Sequence, residues 1–210
     1  MITLHQIQKK YYDSLIISVP KLELPHGIYW MQGGNGAGKT TCLKIIAGLI
    51  PFEGDVLVKS TISSKRQPVQ YRQMVSYAEA EPLYPAFLTG RDLLQLHTGA
   101  RGEGYESITE LSALLGIPAF IHNPVSSYSS GMLKKLSLLL AFTGRPALIL
   151  LDEPLITLDT ATIPILYDWI RRFHTQHGVS FVITSHQLIT AGELQLTATL
   201  VIDNKELKKV

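Results

Sequence analysis

Residues Gly33-Gly34-Asn35-Gly36-Ala37-Gly38-Lys39-Thr40 satisfy the pattern G-x-x-x-x-G-K-[ST], and their neighbours supply the context it needs. A compact apolar run, Ile28 to Gln32, predicts a buried strand that leads straight into the glycines. Lys39 to Leu49 reads as a helix ended by Gly48 and Pro51. In that order the glycines let the backbone curl until successive N–H groups face one point, and the helix N-terminus adds partial positive charge behind them. The fitting ligand is a nucleoside triphosphate with Mg²⁺. Lys39 is placed to bridge its β and γ phosphates, and Thr40 to offer a hydroxyl to the metal. Gly34, Asn35, Gly36, Ala37, Gly38, Lys39, Thr40 and Thr41 are the predicted nucleotide contacts.

A second cluster, Ala147-Leu148-Ile149-Leu150-Leu151-Asp152-Glu153-Pro154, is an apolar strand that ends abruptly in two carboxylates. Charge at the tip of a buried strand is costly unless something there needs it. Beside a phosphate loop, the two acids divide into a metal holder and a base. Asp152 is expected to hold Mg²⁺ through water, and Glu153 to polarise the water that attacks the γ-phosphate.

Length and composition bound what surrounds these motifs. At 210 residues the chain is one domain, or one domain with an inserted lobe, and 46% hydrophobic against 17% charged residues excludes intrinsic disorder. A formal charge of +2 gives no electrostatic reason for a polyanionic partner, so no nucleic acid is expected. The single cysteine, Cys42, allows no internal disulfide and reads as a small buried residue. The first ten residues lack the basic head and apolar middle of a secretion signal, and no apolar run nears the roughly 18–20 residues that span a bilayer.

Ile2, Leu4 and Ile7, then Leu15 to Val19, predict a hairpin turning at Tyr11 to Ser14; Asp55 to Lys59 and Val75 to Tyr77 are further strands. From Thr89 to Phe142 the apolar spacing becomes helical, and Thr98 to Ser107, with three glycines, is expected as a flexible surface loop. The C-terminal part alternates: helix Ile163 to His177, strand Ser180 to Thr184, short helix Gln187 to Leu194, strand Thr199 to Asp203, then a final strand and turn from Asn204. Such alternation predicts an α/β fold, a parallel sheet with helices on its faces.

With Tyr128-Ser129-Ser130-Gly131-Met132 lying between the two motifs and followed by Lys134-Lys135, the chain resembles the ATP-binding cassette (ABC) ATPases over nearly its whole length. The pentad is similar to the family signature LSGGQ, differing at Tyr128, Ser130 and Met132, and its tyrosine and methionine resemble export-type members. The resemblance implies a P-loop NTPase core with a mostly parallel sheet, an N-terminal antiparallel β subdomain and an inserted α-helical subdomain. The core lobe would be about 1–79 and 143–210, the helical lobe about 80–142.

The resemblance further implies that Ser129, Ser130 and Gly131 contact ATP held by a second subunit, so that two chains, identical or not, close head-to-tail around two ATP. His186 matches the switch histidine, and Asp159 sits at the D-loop, where Ile156 and Thr157 replace the usual small pair. Tyr12, about 20 residues before the phosphate loop, is matched to the aromatic that stacks on adenine, with Tyr11 the alternative. The Q-loop glutamine is replaced by Ala80, flanked by Glu79 and Glu81. Leu83, Tyr84, Phe87 and Leu88 are candidates for the socket that receives integral membrane subunits, which would place the chain in the cytoplasm on the inner face of the cell membrane. The expected activity is ATP hydrolysis driving transport, with export slightly favoured. Alternatives are a soluble non-transport ABC ATPase and a hydrolysis-impaired regulatory subunit.

Overall fold

A computed structural model of the protein describes residues 1–102, 104–105, 108–185 and 194–210. The chain begins with the predicted hairpin, β1 (Ile2–Tyr11) and β2 (Ser14–Leu24), and continues with β3 (Ile28–Gln32) and α1 (Lys39–Ile46). Next come β4 (Glu53–Val58), β5 (Ile62–Ser63), α2 (Pro68–Met74) and β6 (Val75–Ala78). Helices α3 (Gly90–Arg101), α4 (Ile108–Leu114) and α5 (Ser130–Ala141), with two short 3-10 turns, separate β6 from β7 (Leu148–Leu151). Helix α6 (Thr162–His177), β8 (Ser180–Thr184), β9 (Ala198–Asp203) and β10 (Glu206–Lys209) complete the described elements.

The strands form one sheet in the order β5-β4-β1-β2-β10-β9-β3-β8-β7-β6. From β9 to β6 every neighbouring pair is parallel, whereas β5, β4, β1 and β2 pair antiparallel. Strand β10 joins the two halves, antiparallel to β9 and touching β2 through the Glu206–Ser18 pair. Because side chains alternate along a strand, each parallel strand feeds two cores. Tyr29 and Met31, Leu148 and Leu150, and Val182 pack with α1 and the antiparallel block. Ile28 and Trp30, Ile149 and Leu151, and Phe181 and Ile183 pack under α4, α5 and α6 on the other face. Burial on both faces explains why these strands read as unbroken apolar runs. Cys42 is buried, as expected.

One expectation is corrected. Helix α3 runs on through Thr98 to Arg101, so the segment expected as a loop from Thr98 begins only at Gly102. A capping box between Thr89 and Asp92 starts the helix, and Arg101 pins its end by donating to Ser76 Oγ (2.6 Å) and Val75 O (3.1 Å). The short helix expected at Gln187 to Leu194 lies, up to residue 193, outside the described residues. Among those residues no helix is long and apolar enough to cross a membrane.

Candidate nucleotide site

The tips of the parallel strands bring the two motifs together. Strand β3 delivers the glycine loop and β7 delivers Asp152 and Glu153, and both line one cleft of about 350 Å³ with Asn35, Gly36, Ala37, Gly38, Lys39, Thr40 and Thr41. Gly36 (φ 74°) and Gly38 (φ 103°) hold backbone angles that L side chains resist. A Cβ added at Gly34 or Gly36 would meet nothing within 4 Å, so the loop is open on the cleft side. Lys39 Nζ donates to Gly33 O (2.8 Å) and Gly34 O (3.2 Å), holding the ammonium over the loop it follows.

Asp152 is 1% exposed and its carboxylate is fixed by two hydroxyls: Thr184 donates to Oδ1 (2.7 Å) and Tyr77 to Oδ2 (3.0 Å). Burial, first, and then the neighbouring Asp152 carboxylate push the Tyr77 hydroxyl well above its ordinary pKa, so it remains a donor. Glu153, 8% exposed, adopts a left-handed backbone (φ 45°), with its N–H donating to Thr184 Oγ1 (2.9 Å). That turn re-aims the chain after the buried strand, and a strained residue held by its surroundings at a cleft points to function. Sequence reasoning missed Tyr77 and Thr184. The signal for both was a hydroxyl near the end of an apolar strand.

The remaining predicted residues sort into three groups. Tyr11 and Ile16 line the cleft, whereas Tyr12 stands at the apex of the hairpin (φ 52°) with its side chain fully in solvent. In this geometry the alternative, Tyr11, is the aromatic beside the phosphate loop. Ser129, Ser130 and Gly131 lie apart from the cleft, at the start of α5. There Ser129 caps the helix by accepting from Met132 N (3.2 Å). Gly131 sits close to the next loop, where a Cβ would lie 3.0 Å from Thr157 O. Asp159 pairs with Lys135 of α5 (2.7 Å) and accepts from Thr162 N and Oγ1. Lys135 above all, with Thr162, holds its carboxyl down at about 2. His186 lies outside the described residues.

Tyr128 is a structural brace. Its hydroxyl accepts from Gly90 N (3.2 Å) and donates to Phe120 O (2.8 Å). Lys134, 1% exposed, donates to three carbonyls, Glu79 O (2.8 Å), Ala80 O (2.9 Å) and Asp152 O (3.1 Å). Burial pulls its ammonium down to about 8, against the opposing pull of the Asp152, Glu153 and Glu81 carboxylates. Leu83 and Phe87 are 90% and 81% exposed, whereas Tyr84 and Leu88 are half-buried against a small core of Leu93, Tyr128, Leu136 and Leu140. Leu83 and Tyr84 also line a second cavity, of about 220 Å³, with Glu79, His97 and Arg101.

Comparison with known proteins agrees with this geometry. The family model described as ABC transporter matches residues 21–156, more than half of the chain; a second, described as AAA domain, putative AbiEii toxin, Type IV TA system, matches residues 123–190. The Bacillus subtilis (strain 168) protein called uncharacterized ABC transporter ATP-binding protein YhcH is 32% identical over 77% of the chain, and the match spans 53% of that relative. The chain thus corresponds to about half the length of that protein. Legionella pneumophila (strain Paris) cytochrome c biogenesis ATP-binding export protein CcmA is 31% identical, with 89% of this chain and 93% of CcmA covered. Among solved structures, a dimeric ATP-binding cassette in a post-hydrolysis state, bound to ADP and Pi, superposes with a TM-score of 0.85 at 18% identity, covering 100% of this chain and 98% of that one. Phosphate loop, paired carboxylates and relatives agree: the chain belongs to the ABC transporter family.

Proposed function

We propose that the chain binds and hydrolyses ATP as one half of a dimer and drives separately encoded membrane subunits. The observation that carries this reading is the shared cleft, in which Lys39 and Thr40 face Asp152 and Glu153. The loop amides from Gly34 to Thr41 would take the phosphate oxygens, and Lys39 would exchange two backbone carbonyls for the β and γ phosphates. Tyr11, with Tyr12 as the sequence-based choice, would flank the adenine. The Thr40 hydroxyl and the Asp152 carboxylate form the oxygen donor set that Mg²⁺ prefers, and both line the cleft. Bound there, Mg²⁺ would neutralise charge on the phosphates. Tyr77 and Thr184 hold the Asp152 carboxylate in place, and Glu153 would accept the proton of the attacking water. His186 would contact the γ-phosphate.

Because Ser129, Ser130 and Gly131 do not line this cleft, a second chain would have to present them to the γ-phosphate, head-to-tail, with Asp159 between the two sites. ATP would then join two surfaces and hydrolysis would release them. Solvent-facing Leu83 and Phe87, with Tyr84 beneath, are the proposed seat for a membrane subunit. That seat would hold the chain at the inner face of the cell membrane. Export is favoured by the Tyr128 to Met132 variant and by the CcmA relative, which is named an export protein.

The test is steady-state ATPase activity against protein concentration, with Glu153→Gln as the blank. Turnover that rises more steeply than linearly and vanishes in the variant supports a dimeric hydrolase. Strictly linear turnover, or turnover that survives the substitution, removes the mechanism.

A further inference from the structure

Lys134 is a buried cation whose described hydrogen bonds all go to neutral groups. All three of its hydrogen bonds go to backbone carbonyls, and among the described residues no carboxylate forms an ion pair with it. Burying an ammonium is costly, and nothing in helix packing demands it: Leu138 and Ala141, four and seven residues on, fill the same inward face of α5 with apolar groups. What the ammonium does achieve is a junction of three chain segments. Glu79 and Ala80 follow β6, Asp152 follows β7, and Lys134 itself lies one turn beyond the Ser129 cap. The neighbouring Lys135 ties the same helix to Asp159.

We propose that Lys134 is a positioning residue for hydrolysis, fixing the loop of residues 79–81 against the backbone of Asp152 and tying both to the helix that starts at Ser129. A displacement of that loop or of α5 then moves Asp152 and Glu153 relative to the phosphate loop. The nucleotide-binding residues of α1 and β3 are untouched by Lys134. This role rests on the hydrolase reading above.

The separation of binding from turnover supplies the test. Lys134→Met keeps an unbranched side chain, one atom shorter, and removes its donors; Lys134→Gln keeps two N–H donors and removes the charge. For the full chain with MgATP, Lys134→Met is expected to lower kcat about tenfold or more while KM stays within about threefold, with Lys134→Gln in between. Amide exchange in residues 79–81 and 152–153 should quicken together in the Met variant. Packing alone would predict otherwise: a shift in Tm with kcat intact below it. A Met variant whose kcat lies within about twofold of wild type overturns the role, as does a parallel loss of affinity and turnover. If the Met variant does not fold, Lys134→Gln decides, and wild-type kcat there overturns the role. A wild-type chain without turnover overturns the hydrolase reading and this role together, which distinguishes that failure from a wild-type chain that turns over beside unaffected variants.

Discussion

Asp152 and Glu153 are adjacent in sequence, yet the structure treats them differently. Asp152 extends the β6–β7 pairing by donating its N–H to Ala78 O (2.9 Å), whereas Glu153 leaves the strand through a positive φ. Thr184 serves both, as donor to one and acceptor for the other. Thr184→Val preserves shape and removes both bonds, so unfolding by denaturant should show a loss of about 1–3 kcal/mol, with kcat reduced. A variant as stable and as active as wild type would show that this hydroxyl neither stabilises nor aims the acids. Gly38 makes the complementary case for backbone. At φ 103°, with Ile16 Cγ2 3.3 Å from where a Cβ would stand, Gly38→Ala should cost about 1–2 kcal/mol and weaken nucleotide binding. Unchanged melting and ATP affinity would contradict it. The phosphate loop and the acid pair were legible because their chemistry needs particular residues at fixed spacing. Thr184 and Tyr77 were not, since a hydroxyl on a strand is chemically unremarkable until its partner is known. Tyr12 was chosen by position along the hairpin, but the side to which a turn residue points depends on a φ that the sequence does not display.

At the scale of elements, legibility followed burial. Strands β3, β7 and β8 are buried on both faces, and their apolar runs gave them away. Strand β5, with two residues, and α2, whose one buried residue is Tyr71, carry too little pattern to be read. Gly99 suggested a loop, but it lies on the exposed side of α3, where a Cβ would meet nothing, and the helix passes through it because both ends are anchored. Lys134 was readable only as a basic residue; its place four residues before Leu138 on the core-facing stripe was the overlooked signal. Tyr128 similarly counted as a departure from a motif, although its ring is buried against Phe120, with centroids 4.9 Å apart. Tyr128→Phe keeps the ring and strips Gly90 N and Phe120 O of their shared partner. Thermal or chemical unfolding should reveal a loss of about 1–3 kcal/mol with ATP affinity unchanged. If affinity falls instead, Tyr128 acts on the nucleotide and not on the α3–α5 packing.

At the scale of the whole molecule, the cleft and the start of α5 lie apart. The parallel strands collect the phosphate loop and the acids at one set of tips, whereas α5, packed over the other face of the sheet, begins away from that cleft with Ser129 and Ser130 exposed. An exposed helix start is where an anion is welcome, and in the proposed dimer that anion would be the γ-phosphate held by the other chain. Ser130→Glu separates the two roles of this helix start. A carboxylate in the first turn favours the helix by about 0.3–1 kcal/mol, so folding should be preserved or improved. The same carboxylate would face the partner's triphosphate, where like charges at close range cost far more than the serine contact contributes. In the Glu153→Gln background, sedimentation with MgATP should therefore show a dimer, and addition of Ser130→Glu should return it to monomer while each chain still binds ATP. A dimer that survives the added charge would mean that the helix start faces something other than the nucleotide. The head-to-tail arrangement would then fail even though the cleft, the acids and the family remain as described.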